Sequence, residues 1–266
     1  MWPINIYMGK KIFVQERHSK ILEYIAEKNR ADVEELATIL SVTEATIRRD
    51  LDYLERKGLL YRTHGGALKR EQASIWQTSS LQDRMIMHIE EKKRIAQFVI
   101  HLIHDGESIM IDGGSTTLLA AKELCIKKNL LIVTNAPSIG ETMIDANNHK
   151  IILTGGELLK GTYSLIGSAA EHSISQYRTD KAIIGMSGIL VDQGYFSAIP
   201  EEAEIKRLMS FNSRETIVIS DSSKIGTRAF CFVCDFSHVN KLVTDKNISA
   251  SALEDLKKQG VEVFTV

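Results

Sequence analysis

The chain has 266 residues, of which 44% are hydrophobic and 25% charged, and its formal net charge is −1 at pH 7. This composition is typical of a globular protein of one or two domains, and no stretch approaches the roughly 20 apolar residues that a membrane helix needs. The start of the chain lacks an apolar core of signal-peptide length, and three cysteines cannot all pair, which together predict a reducing, cytoplasmic location.

Charge is unevenly distributed along the chain. Residues 10–70 hold 13 Lys and Arg against 10 Asp and Glu, whereas the remainder holds 20 against 24. Binding to DNA phosphates needs local positive charge rather than a basic whole protein. The near-neutral total therefore permits, without demonstrating, nucleic-acid binding by the N-terminal part.

Three helical patterns follow one another between residues 15 and 57. Their apolar residues recur at the spacing of one helix face. They are Ile21, Leu22 and Ile25 in the first helix, Val33, Leu36, Ala37 and Leu40 in the second, and Ile47, Leu51 and Leu54 in the third. Asp32 with Glu35 three residues later predicts a capping box at the second helix. The turn 41–43 follows, and Thr43 is the predicted N-cap of the third helix.

The third helix, 44–57, has an outer face that suits DNA. At 3.6 residues per turn, Ala45, Arg49, Asp52 and Arg56 point away from the core. Two helices joined by a three-residue turn form a helix-turn-helix, whose second helix fits the major groove, where arginine can grip guanine or phosphate. The residues predicted to contact DNA from this helix are Thr43, Glu44, Ala45, Thr46, Arg48 and Arg49.

A small hairpin is predicted after this helix. Gly58 ends the helix, and 59–67 has the pattern of a strand, a tight Gly-Gly turn and a returning strand. Such a hairpin forms a β wing, and we expect Arg62 and His64 to touch the DNA backbone beside the groove. An isolated Arg-Arg pair is more often a solvated basic pair, and Asp50 and Asp52 are near enough to pair with it. The three helices, the turn and the wing together favour DNA binding.

The rest of the chain has the pattern of an α/β domain. Residues 15–69 form the predicted head, 70–80 a polar linker and 81–266 the body. Short apolar runs, separated by helix-length stretches, predict buried strands of a mostly parallel sheet. The runs are 108–111, 130–133, 151–153, 182–184, 216–219, 241–243 and 261–264.

Polar, glycine-rich loops follow several of these strands. Ligands of parallel sheets bind beyond the carboxyl ends of the strands. In the loop 112–117, glycines allow close approach of a ligand, and the following helix offers free N–H groups to an anion. Each loop alone is often a plain turn, but several in one sheet favour a shared pocket. The residues predicted to bind the effector are Asp112, Gly113, Gly114, Ser115, Thr116, Thr117, Asn135, Gly155, Gly156 and Lys224.

The chain resembles the DeoR family of bacterial transcription regulators. The matching strings are 16–18, 42–51 and 64–67 in the head, and 112–117, 134–135, 154–156 and 221–224 in the body. The family often has Ser at the position of Thr43, and Ser-Gly-Thr-Thr where this loop reads Gly-Gly-Ser-Thr-Thr. The resemblance covers about residues 15–262. The first dozen residues lie outside the pattern, and Met8 is an alternative start. It implies a sensor domain similar in fold to ribose phosphate isomerases, with the effector's phosphate at 113–117 and Lys224 in the pocket.

The resemblance and the motifs together predict a repressor of a carbohydrate-uptake or catabolic operon. Its expected partners are operator DNA, a phosphorylated sugar or sugar alcohol and a second copy of itself, without a membrane, metal or cofactor. The acidic pair that the isomerases carry in the segment matching 185–188 is missing, which favours sensing over catalysis. The alternatives are a sugar phosphate isomerase-like enzyme fused to a DNA-binding module, and an activator or architectural binder without a small ligand.

A C-x-x-C motif lies in the body. Cys231 and Cys234 have no second pair, and four ligands are usual at zinc. Buried thiols are therefore favoured over a metal or redox site.

Overall fold

A computed structural model describes residues 13–57, 59–63, 65–69 and 80–266. These residues form two compact units. The first, here called the head unit, contains the described residues up to 69 together with 82–90, and the second, the body unit, contains 80–81 and 91–266. Residues 82–90 thus pack with the head unit, although the sequence places them in the body. The predicted linker and domain boundaries stay a prediction, because 70–79 lie outside the described residues.

The head unit is a three-helix assembly with a small sheet. Its elements are α1 (Val14–Lys28), β1 (Arg30–Asp32), α2 (Val33–Leu40), α3 (Glu44–Arg56), β2 (Leu60–Arg62) and β3 (Gly66–Lys69). Every residue predicted on the three inner helix faces is buried except Ala37, which is half-buried against the same cluster. Leu60 and Ile86 join this core. Burial of these apolar side chains is the main force that holds the helices together.

The predicted wing is confirmed as β2 and β3, and it gains a strand. The antiparallel order is β1-β3-β2, so the segment between α1 and α2 pairs with the returning strand. Gly66 is required there, because an added Cβ would lie 2.0 Å from the carbonyl oxygen of Ala31. The predicted capping box is wrong. The Asp32 side chain caps no amide of α2, and Glu35 instead accepts a hydrogen bond from Tyr24 Oη.

The body unit is built around a seven-stranded sheet. The helix α4 (Leu81–Ile86) belongs to the head unit except for its first residue, and α5 (Ile89–Val99) continues from the head unit into the body unit. The strands of the sheet are β4 (Ser108–Ile111), β5 (Leu131–Thr134), β6 (Lys150–Leu153), β9 (Thr179–Gly185), β12 (Ser213–Ile219), β14 (Lys241–Thr244) and β15 (Glu262–Thr265). Every pairing is parallel, in the order β15-β14-β12-β9-β4-β5-β6. The seven predicted strands and the α/β fold class are confirmed.

Helices connect the strands and cover both faces of the sheet. They are α6 (Ser115–Leu124), α7 (Pro137–Met143), α8 (Ser168–Ser175), α9 (Pro200–Phe211) and α10 (Ala250–Lys258). Alternate residues of β4 enter different apolar clusters, Met110 one and Ile109 and Ile111 the other. Period-two alternation places these clusters on opposite faces. The sheet is therefore buried on both sides, which explains its continuous apolar strands.

Two small antiparallel sheets in the body unit are absent from the sequence-based predictions. They contain β7 (Glu157–Leu158) with β8 (Leu165–Ile166), and β10 (Gly188–Leu190) with β11 (Gly194–Ser197) and β13 (Cys231–Cys234). Among the residues that the structure describes, no helix has the length and apolar character needed to cross a membrane.

Candidate functional site

The outer face of α3 is exposed as predicted. Ala45, Arg49, Asp52 and Arg56 are all exposed. Thr43 is the N-cap, since its Oγ1 accepts a hydrogen bond from the Thr46 amide at 3.3 Å. This cap fixes where the helix begins and therefore which residues its first turn presents.

The two neighbouring arginines of α3 differ in their contacts. Arg48 is paired with Glu44 one turn earlier at 2.7 Å, and both side chains are about half exposed. Arg49 makes no side-chain hydrogen bond or ion pair with any residue that the structure describes. Surface pairs of the Arg48 type contribute little and exchange easily. Arg49 is therefore the arginine of this face whose guanidinium is immediately available to DNA.

A buried ionic cluster holds α3 against α1. Asp50 is 5% exposed. It accepts hydrogen bonds from Arg17 Nη2 at 3.0 Å and from His18 Nε2 at 2.9 Å. Burial alone would raise the pKa of the Asp50 carboxyl, but the hydrogen bonds from His18 and Arg17 outweigh burial and hold that pKa below its ordinary value. The cluster sets the rotation of α3 and so turns Arg49 outward.

Asp50 and Asp52, which are near enough in sequence to pair with Arg48 and Arg49, have other partners. Asp50 faces inward, and Asp52 instead pairs with Arg62 of the wing at 3.0 Å. The Arg62 guanidinium also donates to the carbonyl oxygens of Thr63 and Gly66, at 3.1 and 2.9 Å.

The contacts of Arg62 favour a role in fixing the wing to α3 over a phosphate contact. Its side chain is only 18% exposed, and its guanidinium reaches both the helix and the hairpin. His64, the other wing residue predicted to contact DNA, lies outside the described residues.

The second candidate site lies at the carboxyl edge of the sheet, where strand order reverses. From β4 the chain proceeds through β5 to β6 on one side, and from β9 to β15 on the other. A crevice forms at such a switch point and is the usual ligand site of parallel sheets. The loop 113–117 leaves β4 here and leads directly into α6. The first intrahelical bond runs from the Leu118 amide to the Gly114 oxygen. No side chain of the described residues caps the helix, so the amides of 114–117 remain available to an anion.

Buried polar side chains hold this loop in place. Asn135 Oδ1 accepts a hydrogen bond from the Gly113 amide at 3.0 Å. Asp112 is 1% exposed, and its Oδ1 accepts from the Gly185 amide at 2.9 Å, which joins the ends of β4 and β9. Asp112 Oδ2 forms an ion pair with Lys206 of α9. Asp112 and Asn135, both predicted as effector residues, thus have internal partners that position the loop.

Gly113→Ala tests how tightly the loop is packed. An added Cβ would lie 2.5 Å from Ser164 Oγ and 3.3 Å from the Ala136 side chain. We expect a loss of about 1–3 kcal/mol of unfolding free energy, the usual cost of overpacking. Urea unfolding of the full chain measures it. Gly65→Ala is the control, since its Cβ meets nothing within 4 Å. Equal stability of the two variants would contradict the tight packing.

Three residues beside the loop are absent from the predicted site. Ser164 precedes β8, and its Oγ donates a hydrogen bond to Glu202 Oε1 at 3.2 Å. Glu202 and Lys206 are each 5% exposed on α9. The sequence carries a signal for both, because two charged residues four apart occupy the same stripe as the buried Ile205. Charged residues within a buried stripe are rarely placed there by packing alone.

Three further predicted effector residues, Gly155, Gly156 and Lys224, lie on two other loops, which follow β6 and β12. Gly155 and Gly156 follow β6, the outer strand of the sheet, and both are exposed with positive φ. Gly156 packs against Ile166 and Ala170. Lys224 follows β12 at the carboxyl edge, in a short turn. It is half-buried, and its ammonium group has no partner among the described residues.

The C-x-x-C motif lies on β13, where Cys234 is buried and Cys231 is half-buried. Burial raises the pKa of the Cys234 thiol to about 12, and burial also raises that of Cys231. Reactive and metal-binding cysteines need a lowered thiol pKa. The pKa directions favour structural thiols, and the absence of a metal or redox role stays a prediction.

Comparison with known proteins gives matches along most of the chain. The DeoR-like helix-turn-helix domain matches residues 17–73, and the DeoR C terminal sensor domain matches residues 87–246. The glycerol-3-phosphate regulon repressor of Escherichia coli (strain K12) is 34% identical over 248 residues, which cover 93% of this chain and 97% of that protein. The putative aga operon transcriptional repressor of Escherichia coli O157:H7 is 28% identical over 251 residues, covering 94% and 93%.

Among solved structures, ribose 5-phosphate isomerase A from Methanocaldococcus jannaschii aligns with half of this chain. The alignment covers 50% of this chain and 53% of that one, with 15% identity and a TM-score of 0.37.

Proposed function

The chain belongs to the DeoR family of transcription regulators, and we propose that it represses a carbohydrate-uptake or catabolic operon until a phosphorylated sugar or sugar alcohol releases it from the operator. One observation carries the proposal: the same chain has an outward arginine face on α3 and, separately, a loop with available amides at the carboxyl edge of the sheet. Relatives named as repressors of the glycerol-3-phosphate regulon and the aga operon support it. A repressor acts where the DNA is, so the proposal places the protein in the cytoplasm.

The proposal also requires more than one copy of the chain. Two-fold symmetric operators are read by paired heads, so the body unit is expected to form a homodimer or a larger assembly. The effector then acts through its different affinities for the DNA-bound and released arrangements, because only such a difference shifts the equilibrium.

A screen of thermal stability tests the effector. Binding to the folded protein raises its melting temperature by an amount that grows with the logarithm of ligand concentration over Kd. We propose to screen inorganic phosphate, phosphorylated sugars and phosphorylated sugar alcohols, and to follow turnover in the same samples. Stabilisation without turnover supports a sensor. Turnover supports the isomerase-like alternative, and a protein that no phosphate stabilises is a regulator without a small ligand.

Lys224→Ala is expected to separate DNA binding from release. An ammonium group that contacts a phosphate contributes a charged hydrogen bond worth about 1.5–3 kcal/mol. The variant should bind operator DNA normally but need about tenfold or more effector for half-release in a gel-shift titration. Lys246→Ala, at an exposed lysine of the body unit, is the control. Normal release of the Lys224 variant would exclude that lysine from the pocket.

A further inference from the structure

The carboxylate of Glu202 is buried but only half satisfied. The residue is 5% exposed, and Oε1 accepts one hydrogen bond, from Ser164 Oγ at 3.2 Å. Oε2 has no hydrogen-bond partner among the described residues, and it is accessible to solvent. A buried carboxylate is costly unless its oxygens find donors. Oε2 can therefore accept a hydrogen bond from a donor outside the chain.

The Glu202 carboxylate lies beside the loop 113–117. A Cβ on Gly113 would lie 2.5 Å from Ser164 Oγ, which itself contacts Glu202. The Glu202 carboxylate is thus separated from the loop 113–117 by one serine hydroxyl. A ligand held by the amides of this loop would therefore lie near Glu202.

Charge decides which part of a ligand meets Glu202. Lys206 pairs with the buried Asp112, which leaves the buried Glu202 carboxylate without a countercharge among the described residues, and Asp221 and Asp245, also buried at this edge, add negative charge. A phosphate group is repelled by that charge and attracted by the amides at the start of α6. A sugar hydroxyl can donate a hydrogen bond to a carboxylate, and charge-assisted bonds of this kind are strong. The pocket therefore has an anion end and a hydroxyl end.

We infer that Glu202 is a specificity-determining residue of the effector pocket, which accepts a hydrogen bond from a hydroxyl of a phosphorylated polyhydroxy compound through Oε2. Lys206, one turn further along α9, would donate hydrogen bonds to the same ligand hydroxyls. Among the described residues its ammonium group has one partner, Asp112, which leaves two further N–H donors. This inference rests on the proposed sensing function and adds the group that distinguishes a polyol phosphate from phosphate alone.

Glu202→Gln tests the inference because it preserves shape and removes the charge. Kd values are measured by calorimetry for inorganic phosphate and for a series of linear sugar alcohol phosphates of three to six carbons. For the polyol phosphate that wild type binds best, we expect the variant to bind about tenfold more weakly or worse. For inorganic phosphate we expect binding at least as tight as wild type, since a repulsive charge is gone. Weaker binding of the polyol phosphate, together with unchanged or tighter binding of inorganic phosphate, identifies Glu202 as a hydrogen-bond acceptor for a ligand hydroxyl.

Two controls separate the possible failures. Glu201→Gln changes an exposed neighbour on the same helix and should leave both affinities unchanged. A circular dichroism melt shows whether the Glu202 variant is folded. Ser164→Ala removes the hydrogen bond to Oε1 but keeps the carboxylate, so this variant should retain the preference for polyol phosphates. Equal weakening of both ligand classes, or none, overturns the role of Glu202 alone. A wild-type protein that binds none of the phosphates overturns the sensing function itself.

Discussion

Replacing Asp50 by alanine is expected to destabilise the head unit by about 3–5 kcal/mol, the range for removing one partner of a buried ion pair. The substitution removes the carboxylate that Arg17 and His18 both contact, and those side chains are only 8% and 5% exposed. Hydrogen exchange of the α1 and α3 amides in the full chain measures the loss in this unit. Asp52→Ala is the control on the same helix, since its pair with Arg62 is half exposed and worth under about 1 kcal/mol. Similar losses in both variants would contradict a special role for the cluster.

The same cluster predicts how the head unit responds to acid. The pKa of Asp50 is lowered in the folded chain, so its contribution is fully present above the unfolded value of about 3.9 and is lost as pH falls through the folded value. Asp50→Asn keeps the side-chain volume but cannot titrate. Below about pH 4, the variant should therefore lose less stability per pH unit than wild type. Parallel acid unfolding curves would show that other carboxyls govern this range.

Periodic patterns predicted much of the fold. The inner faces of the head helices are readable because burial of one side of a helix repeats every 3.6 residues. The seven strands of the sheet are readable because burial on both faces makes each strand a short apolar run. The capping hydroxyl of Thr43 is equally local, since it contacts a residue three positions away. Such features depend on neighbours in sequence and not on the rest of the fold.

Contacts between residues that lie far apart in sequence could not be predicted from periodic patterns. Asp50 reaches a side chain 33 positions earlier, and Asp112 reaches Lys206, 94 positions later. Asp50 lies beside two arginines in sequence, but helix geometry turns Asp50 inward and Arg49 outward. The hydroxyl end of the pocket was missed for the same reason. Ser164 and Glu202 come together only when β8 and α9 fold beside the loop 113–117.

Arg49→Ala is expected to weaken operator binding by about ten- to a hundredfold for each head that is bound. A bidentate contact from arginine to a base is worth about 1–3 kcal/mol, and a dimer on two half-sites loses that amount twice. Arg49 is the arginine of the exposed α3 face without a partner in the described part of the chain, so its guanidinium reaches DNA without breaking an internal bond. Arg48→Ala should have a smaller effect, because Arg48 must first leave Glu44.

The measurement is a gel-shift titration on a duplex that the wild-type protein selects from random sequence, at several salt concentrations. Lys28→Ala removes one positive charge from the exposed end of α1 and serves as the charge-matched control. If Arg49 reads a base, its loss lowers affinity for the selected duplex and leaves binding to unrelated DNA nearly unchanged, whereas loss of a phosphate contact lowers both and reduces the salt dependence. An Arg49 variant with wild-type affinity for both duplexes would show that another face of the head unit meets DNA.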